Sequence, residues 1–260
     1  IKSIFFPIIC KIILYLPHIK NAIIMNKSKI LVGFIAVCCL LYTVFQFNGE
    51  DFLCRFSKSL IIPSITLLYF TNFQKRSVFF VAFLVLYSIS ELIIFPVFSS
   101  ELYYFVGNYL YIFAYIFFIY EIVKSMDLKY VLRHYALHLM VLLGFSVYVV
   151  YVLMDVASGA EKLLIMETIT EFIYNLVILF LLSVSLINSL YRDSKRALLI
   201  LFGSICIVFS EVIQIGYFYI AERNLLGFLA TVFLTSAFVF YYVSQTKSEE
   251  KDSSRILAET

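Results

Sequence analysis

Apolar residues in this chain neither alternate nor recur on one face only. They form long, nearly unbroken blocks separated by short polar stretches such as "NFQKR", "SSE", "YRDSKR" and "AERN". Blocks of about 20 residues match an α-helix spanning a bilayer, whereas the strands of a membrane barrel would alternate apolar and polar positions. From Met25 onward the pattern predicts eight helices, over 30–48, 55–72, 77–98, 101–123, 134–154, 161–190, 196–221 and 224–245. The sixth is longer than one crossing requires, so its first turns are expected to project from the bilayer. The expectation is an all-α integral membrane domain over 25–245, followed by a polar, mobile cytoplasmic tail over 246–260.

Composition agrees and removes the soluble classes. The 260 residues are 63% hydrophobic and 14% charged, with a mean hydropathy of +0.97; soluble domains carry about 25% charged residues. A net charge of +3 says little about partners, because the basic residues sit between the apolar blocks, and no platform of basic and aromatic residues points to nucleic acid. The cysteines (Cys10, Cys38, Cys39, Cys54 and Cys206) form no CxxC pair, and the histidines (His18, His134 and His138) form no HExxH motif. Neither a metal nor a cofactor is therefore expected.

The first residues differ from the rest. "IKSIFFPIICKIILYLPHIKNAII" is interrupted by Pro7, Lys11 and Pro17 and is followed by the basic start "MNKSKILVGF". Met25 reads as the natural start, with residues 1–24 an upstream extension; the rival reading is an interfacial helix or a poor signal peptide.

Loop charge predicts orientation. With Met25 inside, the inner face receives thirteen basic residues: Lys27, Lys29, Lys75, Arg76, Lys124, Lys129, Arg133, Arg192, Lys195, Arg196, Lys247, Lys251 and Arg255. The outer face receives four: Arg55, Lys58, Lys162 and Arg223. Both termini are expected in the cytoplasm, with the chain in a bacterial inner membrane.

Two blocks contain a carboxylate where apolar residues belong: Glu91 in "SISELIIFP" and Glu211 in "IVFSEVIQI". They lie 120 residues apart, each preceded by serine (Ser90, Ser210) and followed sixteen residues later by glycine (Gly107, Gly227). One acidic residue lies between glutamate and glycine in each copy, Glu101 and Glu222. This spacing predicts two parallel four-helix repeats around a central polar cavity, related by an axis along the membrane normal. Both glutamates then sit at one depth, roughly 3–6 Å outside the midplane, and Lys58 can reach down to that level.

A charge at the centre of a membrane helix costs about 2.5–3.5 kcal/mol. Two at matched depth point to a polar pocket, or else to protonated side chains tying helices together. Around Glu211, Ser204 and Gln214 make a polar stripe, while Tyr87 and Ser88 lie one turn before Glu91. Asn108, Tyr111 and Tyr115 in the fourth helix either line the pocket or join helices. Glu167 and Glu171 share a face of the sixth helix near its outer end, where headgroups or water would solvate them. His138, near the inner end of the fifth, is expected to serve packing.

These stretches resemble the YhhN-like membrane proteins, which include the lysoplasmalogenases. That family has eight helices, a "KPL…P" pattern in the second, a "GD" pair in the third and an "SD" pair in the seventh. The corresponding stretches here are "SKSLIIPSITLLYF" (57–70), "LYSISELIIF" (86–95) and "GSICIVFSEVIQI" (203–215), with the family's glycine and aromatics in "FVGNYLYIFAY". Both aspartates are glutamates here, the glycine of the first pair is Ser90, the proline after the lysine is Ser59, and Tyr115 stands where a histidine is common.

The resemblance implies hydrolysis of the vinyl ether bond of a lysophospholipid, releasing a fatty aldehyde. One carboxyl would deliver a proton to the vinyl carbon and the other would stabilise the oxocarbenium ion and activate water, much as glycosidases use a carboxyl pair. It assigns Glu91, Glu211 and Lys58 to catalysis. Ser90, Asn108, Tyr111, Tyr115, Ser210 and Gln214 are the expected substrate-binding residues. A lipid-binding or proton-coupled transport protein with the same polar centre is the alternative, and a purely structural subunit is a third.

Overall fold

In a computed structural model, the described residues are 22–73, 76–93, 100–160, 165–217 and 223–259. They form ten helices: α1 (Ala22–Asn48), α2 (Asp51–Ser59), α3 (Ile61–Asn72), α4 (Val78–Leu92), α5 (Ser100–Val123), α6 (Leu128–His134), α7 (Ala136–Ala160), α8 (Ile165–Arg192), α9 (Lys195–Ile215) and α10 (Asn224–Glu259). No strand occurs among the described residues. Seven helical segments are long and apolar enough to cross a membrane, with α2 and α3 together forming one of them. The chain is an all-helical, multi-pass membrane protein.

Of the eight predicted spans, the third is the one too short to count among these seven, and the ends 161–164 of the sixth and 218–221 of the seventh lie outside the described residues. The third appears as the 15-residue helix Val78–Leu92, and residues 94–99 lie outside the described ones. So do residues 1–21, most of the proposed upstream extension, together with Lys75, Lys162 and Glu222. The predicted second span is broken at Leu60. Pro63 explains the break: proline lacks an N–H, and its ring collides with the carbonyl four residues earlier, which belongs to Ser59, the last residue of α2. The predicted fifth span begins instead after a separate short helix, α6, capped by Asp127, whose carboxylate accepts from the Lys129 N–H at 3.0 Å. The tail continues α10 as helix to Glu259.

Two tight connections show why the polar stretches can be so short. Between α1 and α2, Gly49 takes a φ of +77°, the left-handed conformation glycine adopts freely. Between α8 and α9, Asp193 takes a φ of +39°, which a short polar side chain tolerates better than most. Ser194 then caps α9, its Oγ accepting from the Ala197 N–H at 3.2 Å.

These turns make the helices run up and down. One end of the bundle carries the starts of α2, α5, α8 and α10 together with Glu91; we call it the glutamate end. The other, the arginine end, carries Arg76, Arg192 and Arg196. Within the bundle α9 packs along α10, α4 along α5, and α5 along α8, while α3 lies against α10. Helix α7 packs chiefly on α8 and turns Leu137, Met140, Val141, Leu143 and Val147 outward, all more than 60% exposed. Such a surface is unfavourable in water and matches the hydrocarbon of a bilayer.

The centre of the bundle is aromatic. Phe83 stacks on Phe118 at 4.6 Å and on Phe238 at 5.4 Å, and Phe118 meets Tyr241 edge-on at 4.5 Å. Phe80, Phe83, Phe118, Phe238 and Tyr241 are all fully buried. They join α4, α5 and α10 in one layer about two helical turns from Glu91.

Candidate functional site

Three glutamates lie among the helices near the glutamate end, and each accepts a hydrogen bond from one tyrosine. Tyr111 of α5 donates to Glu91 Oε1 of α4 at 3.0 Å. Tyr174 of α8 donates to Glu211 Oε1 of α9 at 2.7 Å. Tyr104 of α5 donates to Glu171 Oε1 of α8 at 2.8 Å. Hydrogen bonds to charged acceptors are the stronger kind, and in a low-dielectric interior their loss is costly. Glu91 and Glu211 are 4% and 9% exposed, and Glu171 is half-buried.

The rings lock these pairs together. Tyr87, one turn inward of Glu91, lies 4.5 Å from the Tyr111 ring and 5.8 Å from Tyr115. Tyr174 lies 6.3 Å from Tyr111 and 6.2 Å from Tyr115. Glu91 and Glu211 are within electrostatic reach of each other, although α4 and α9 share no extensive contact. The phenols of α5 and α8 fill the space between them. What the sequence predicted as a central polar cavity is, among the described residues, a tyrosine-lined cluster.

Lys58, at the end of α2 just before the break at Leu60, is half-buried and within electrostatic reach of both Glu91 and Glu211. No hydrogen bond or ion pair ties its ammonium to either carboxyl among the described residues.

The predicted serines have partners that define their role. Ser90 Oγ donates to the Gly107 carbonyl at 2.9 Å, joining α4 to α5, and Ser210 Oγ donates to the Ala230 carbonyl at 2.8 Å, joining α9 to α10. The second acceptor lies three residues past Gly227, whose carbonyl is taken by the Tyr42 hydroxyl at 2.9 Å. Asn108 donates to the Tyr104 carbonyl of its own helix at 3.0 Å. Gln214 is half-buried and has no hydrogen bond among the described residues. Tyr115 is fully buried, and its hydroxyl closes no hydrogen bond of good geometry, though the Tyr87 and Tyr174 phenols adjoin it.

Comparison of the chain with family models, curated proteins and solved structures returns no match. The functional reading therefore rests on the site's own chemistry. Among the described residues, no group of three or more His, Cys, Asp or Glu side chains is placed to hold a metal ion.

Glu171, Tyr174 and Tyr104 are the residues that sequence reasoning did not assign to the site. Glu171 was expected in headgroups or water; instead it faces α5. The signal was present in the spacing of Glu167, Glu171 and Tyr174, which share one helix face and continue into the buried Ile178 and Leu181. His138 is exposed and contacts the Tyr135 ring at 5.8 Å.

At the opposite end of the bundle lies a cleft of about 330 Å³, counting the solvent space at its mouth, lined in part by Glu121, Ser125, Asn188, Arg192, Arg196 and Gln245. It is separated from the glutamates by the aromatic layer.

Proposed function

We propose that the protein is a YhhN-like lipid hydrolase that cleaves the vinyl ether bond of a lysophospholipid with the carboxyl pair Glu91 and Glu211. The observation that carries this reading is the convergence of two buried glutamates from distant parts of the chain, each steadied by a phenol, within reach of one ammonium. A structural tie between helices needs one carboxyl and one donor; it does not need a second carboxyl and a lysine beside it.

The chemistry uses these groups as follows. A protonated carboxyl transfers its proton to the vinyl carbon remote from the ether oxygen, and an oxocarbenium ion forms. The ionised carboxyl faces this cation, takes a proton from water as the water oxygen bonds to the cationic carbon, and a hemiacetal results. Its collapse gives a fatty aldehyde and a glycerophospho-alcohol. Lys58 offers the ionised partner a compensating charge, and Tyr111 and Tyr174 fix the carboxyl orientations, which matters because misplacement by about 1 Å can cost a hundredfold in rate.

The proposal includes eight crossings with both termini cytoplasmic, in a bacterial inner membrane, and the glutamate end outside. Its support is the loop-charge asymmetry. Two parallel repeats are supported by matched contacts: α4–α5 corresponds to α9–α10, and the cross-pair α5–α8 corresponds to α10–α3. Ser90 and Ser210 also each donate to a carbonyl of the following helix, the second acceptor standing three residues beyond the position that matches Gly107.

The test is purified protein in detergent with a lysoplasmalogen, assayed for released aldehyde. Glu91→Gln and Glu211→Gln are each expected to abolish release while the protein stays folded, and Lys58→Met to do the same. Wild-type protein that releases no aldehyde would leave the proposal without its reaction.

A further inference from the structure

We infer that the carboxyl site is open to one side of the membrane only, through a mouth formed by Tyr104 and Glu171 on the seam between α5 and α8. The polar groups form a ladder along that seam. Tyr104 precedes Tyr111 on α5 by seven residues, roughly 10 Å along the helix. On α8, Glu171 precedes Tyr174 by three residues, which places both on one face. The Tyr104–Glu171 pair therefore stands one step nearer the glutamate end than the Tyr174–Glu211 and Tyr111–Glu91 pairs. Glu171 is within electrostatic reach of Glu211.

In the other direction the ladder stops. One turn past Tyr111 is Tyr115, fully buried, and beside it Tyr87. Beyond these come the stacked rings of Phe83, Phe118, Phe238 and Tyr241, all fully buried. The polar groups on that side are already paired: Ser88, one turn inward of Glu91, with Thr66 at 2.8 Å, and Ser204 with Ser185 at 2.7 Å and Tyr241 at 3.1 Å. A polar approach exists on one side and a ring-filled layer on the other. The Tyr115 hydroxyl, with the Tyr87 and Tyr174 phenols beside it, marks the blind end.

Glu171 is on this account a positioning residue at the mouth. Water, protons and the polar part of a lipid reach Glu211 past it, from the leaflet at the glutamate end. The lipid's place in this account rests on the hydrolase reading; the sidedness does not.

The experiment is sided labelling of the full chain in sealed vesicles with a membrane-impermeant methanethiosulfonate sulfonate, after replacing the native cysteines with alanine. Ser125→Cys, in the cleft at the arginine end, reports which side is which. Glu171→Cys and Glu211→Cys are expected to react only from the face opposite Ser125→Cys, the first faster than the second. Ile207→Cys, one turn inward of Glu211 and fully buried, is expected to show complete loss of labelling from both faces. Reaction of Glu211→Cys from the Ser125 face, or from neither face, overturns the inference. Should the substituted chains fail to fold, a water-soluble carbodiimide applied to either face of vesicles holding the unsubstituted chain, with adducts on Glu171 and Glu211 mapped by peptide mass, gives the same answer. Labelling needs no turnover, so an inactive protein with one-sided access and an active protein without it are distinguishable outcomes.

Discussion

Tyr174 shows how much a single phenol can carry. It is nine-tenths buried, donates to Glu211 at 2.7 Å and packs against the rings of Tyr111 and Tyr115. Tyr174→Phe keeps the ring and removes the donor. A hydrogen bond contributes about 0.5–1.5 kcal/mol, or about 1.5–3 kcal/mol to an ionised acceptor, so on the proposed hydrolysis kcat for aldehyde release is expected to fall about 2- to 100-fold, with KM little changed because the ring packing survives. Tyr111→Phe is expected to act similarly through Glu91, and steady-state assays of both variants check the pair. The glutamates were legible in the sequence because a carboxylate in an apolar block is rare and costly. Their tyrosines were not all legible. Among 20 tyrosines, membership of the site depends on how each helix is rotated about its axis, which is decided by packing between helices rather than by composition.

At the scale of the element, two helices depend on particular residues. A Cβ on Gly203 would lie 2.3 Å from Tyr241 Cε1 and 2.7 Å from its Cδ1, and Tyr241 is fully buried with no room to turn. Gly203→Ala gains up to about 1 kcal/mol of helix propensity but meets a rigid ring, and overpacking of this kind costs about 1–3 kcal/mol. A lower thermal midpoint in detergent is expected for Gly203→Ala and an unchanged or higher one for Gly216→Ala, where the added carbon meets nothing within 4 Å. The break between α2 and α3 is the second case. Pro63→Ala restores the missing donor and lets the helix run straight through Leu60, turning Lys58 relative to the glutamates. On the proposed hydrolysis, aldehyde release is expected to drop while the thermal midpoint holds or rises. Pro63 was visible in the sequence, but that its break falls at Leu60, two residues after Lys58, follows from the four-residue reach of its ring.

For the whole molecule, seven of the eight predicted crossings were readable because bilayer thickness sets the length of a crossing. Which helices touch was not, since every lipid-spanning segment looks alike until small residues and polar ties select its neighbours. Reporter fusions after Lys129 and Arg192 are expected to read cytoplasmic, and a fusion at Gly49 external; a C-terminus found outside would undo the eight-crossing topology. The aromatic layer between the glutamates and the arginine-end cleft has an electrical consequence. Ion-binding side chains halfway through a bilayer ordinarily threaten its insulation, because a charge that can enter from one face needs only one more polar step to leave by the other. Here that step is occupied by aromatic rings, so buried carboxyls can sit inside a membrane that holds a potential without short-circuiting it. Proteoliposomes holding the protein and a trapped pH-sensitive dye are expected to leak protons no faster than empty ones under an applied potential.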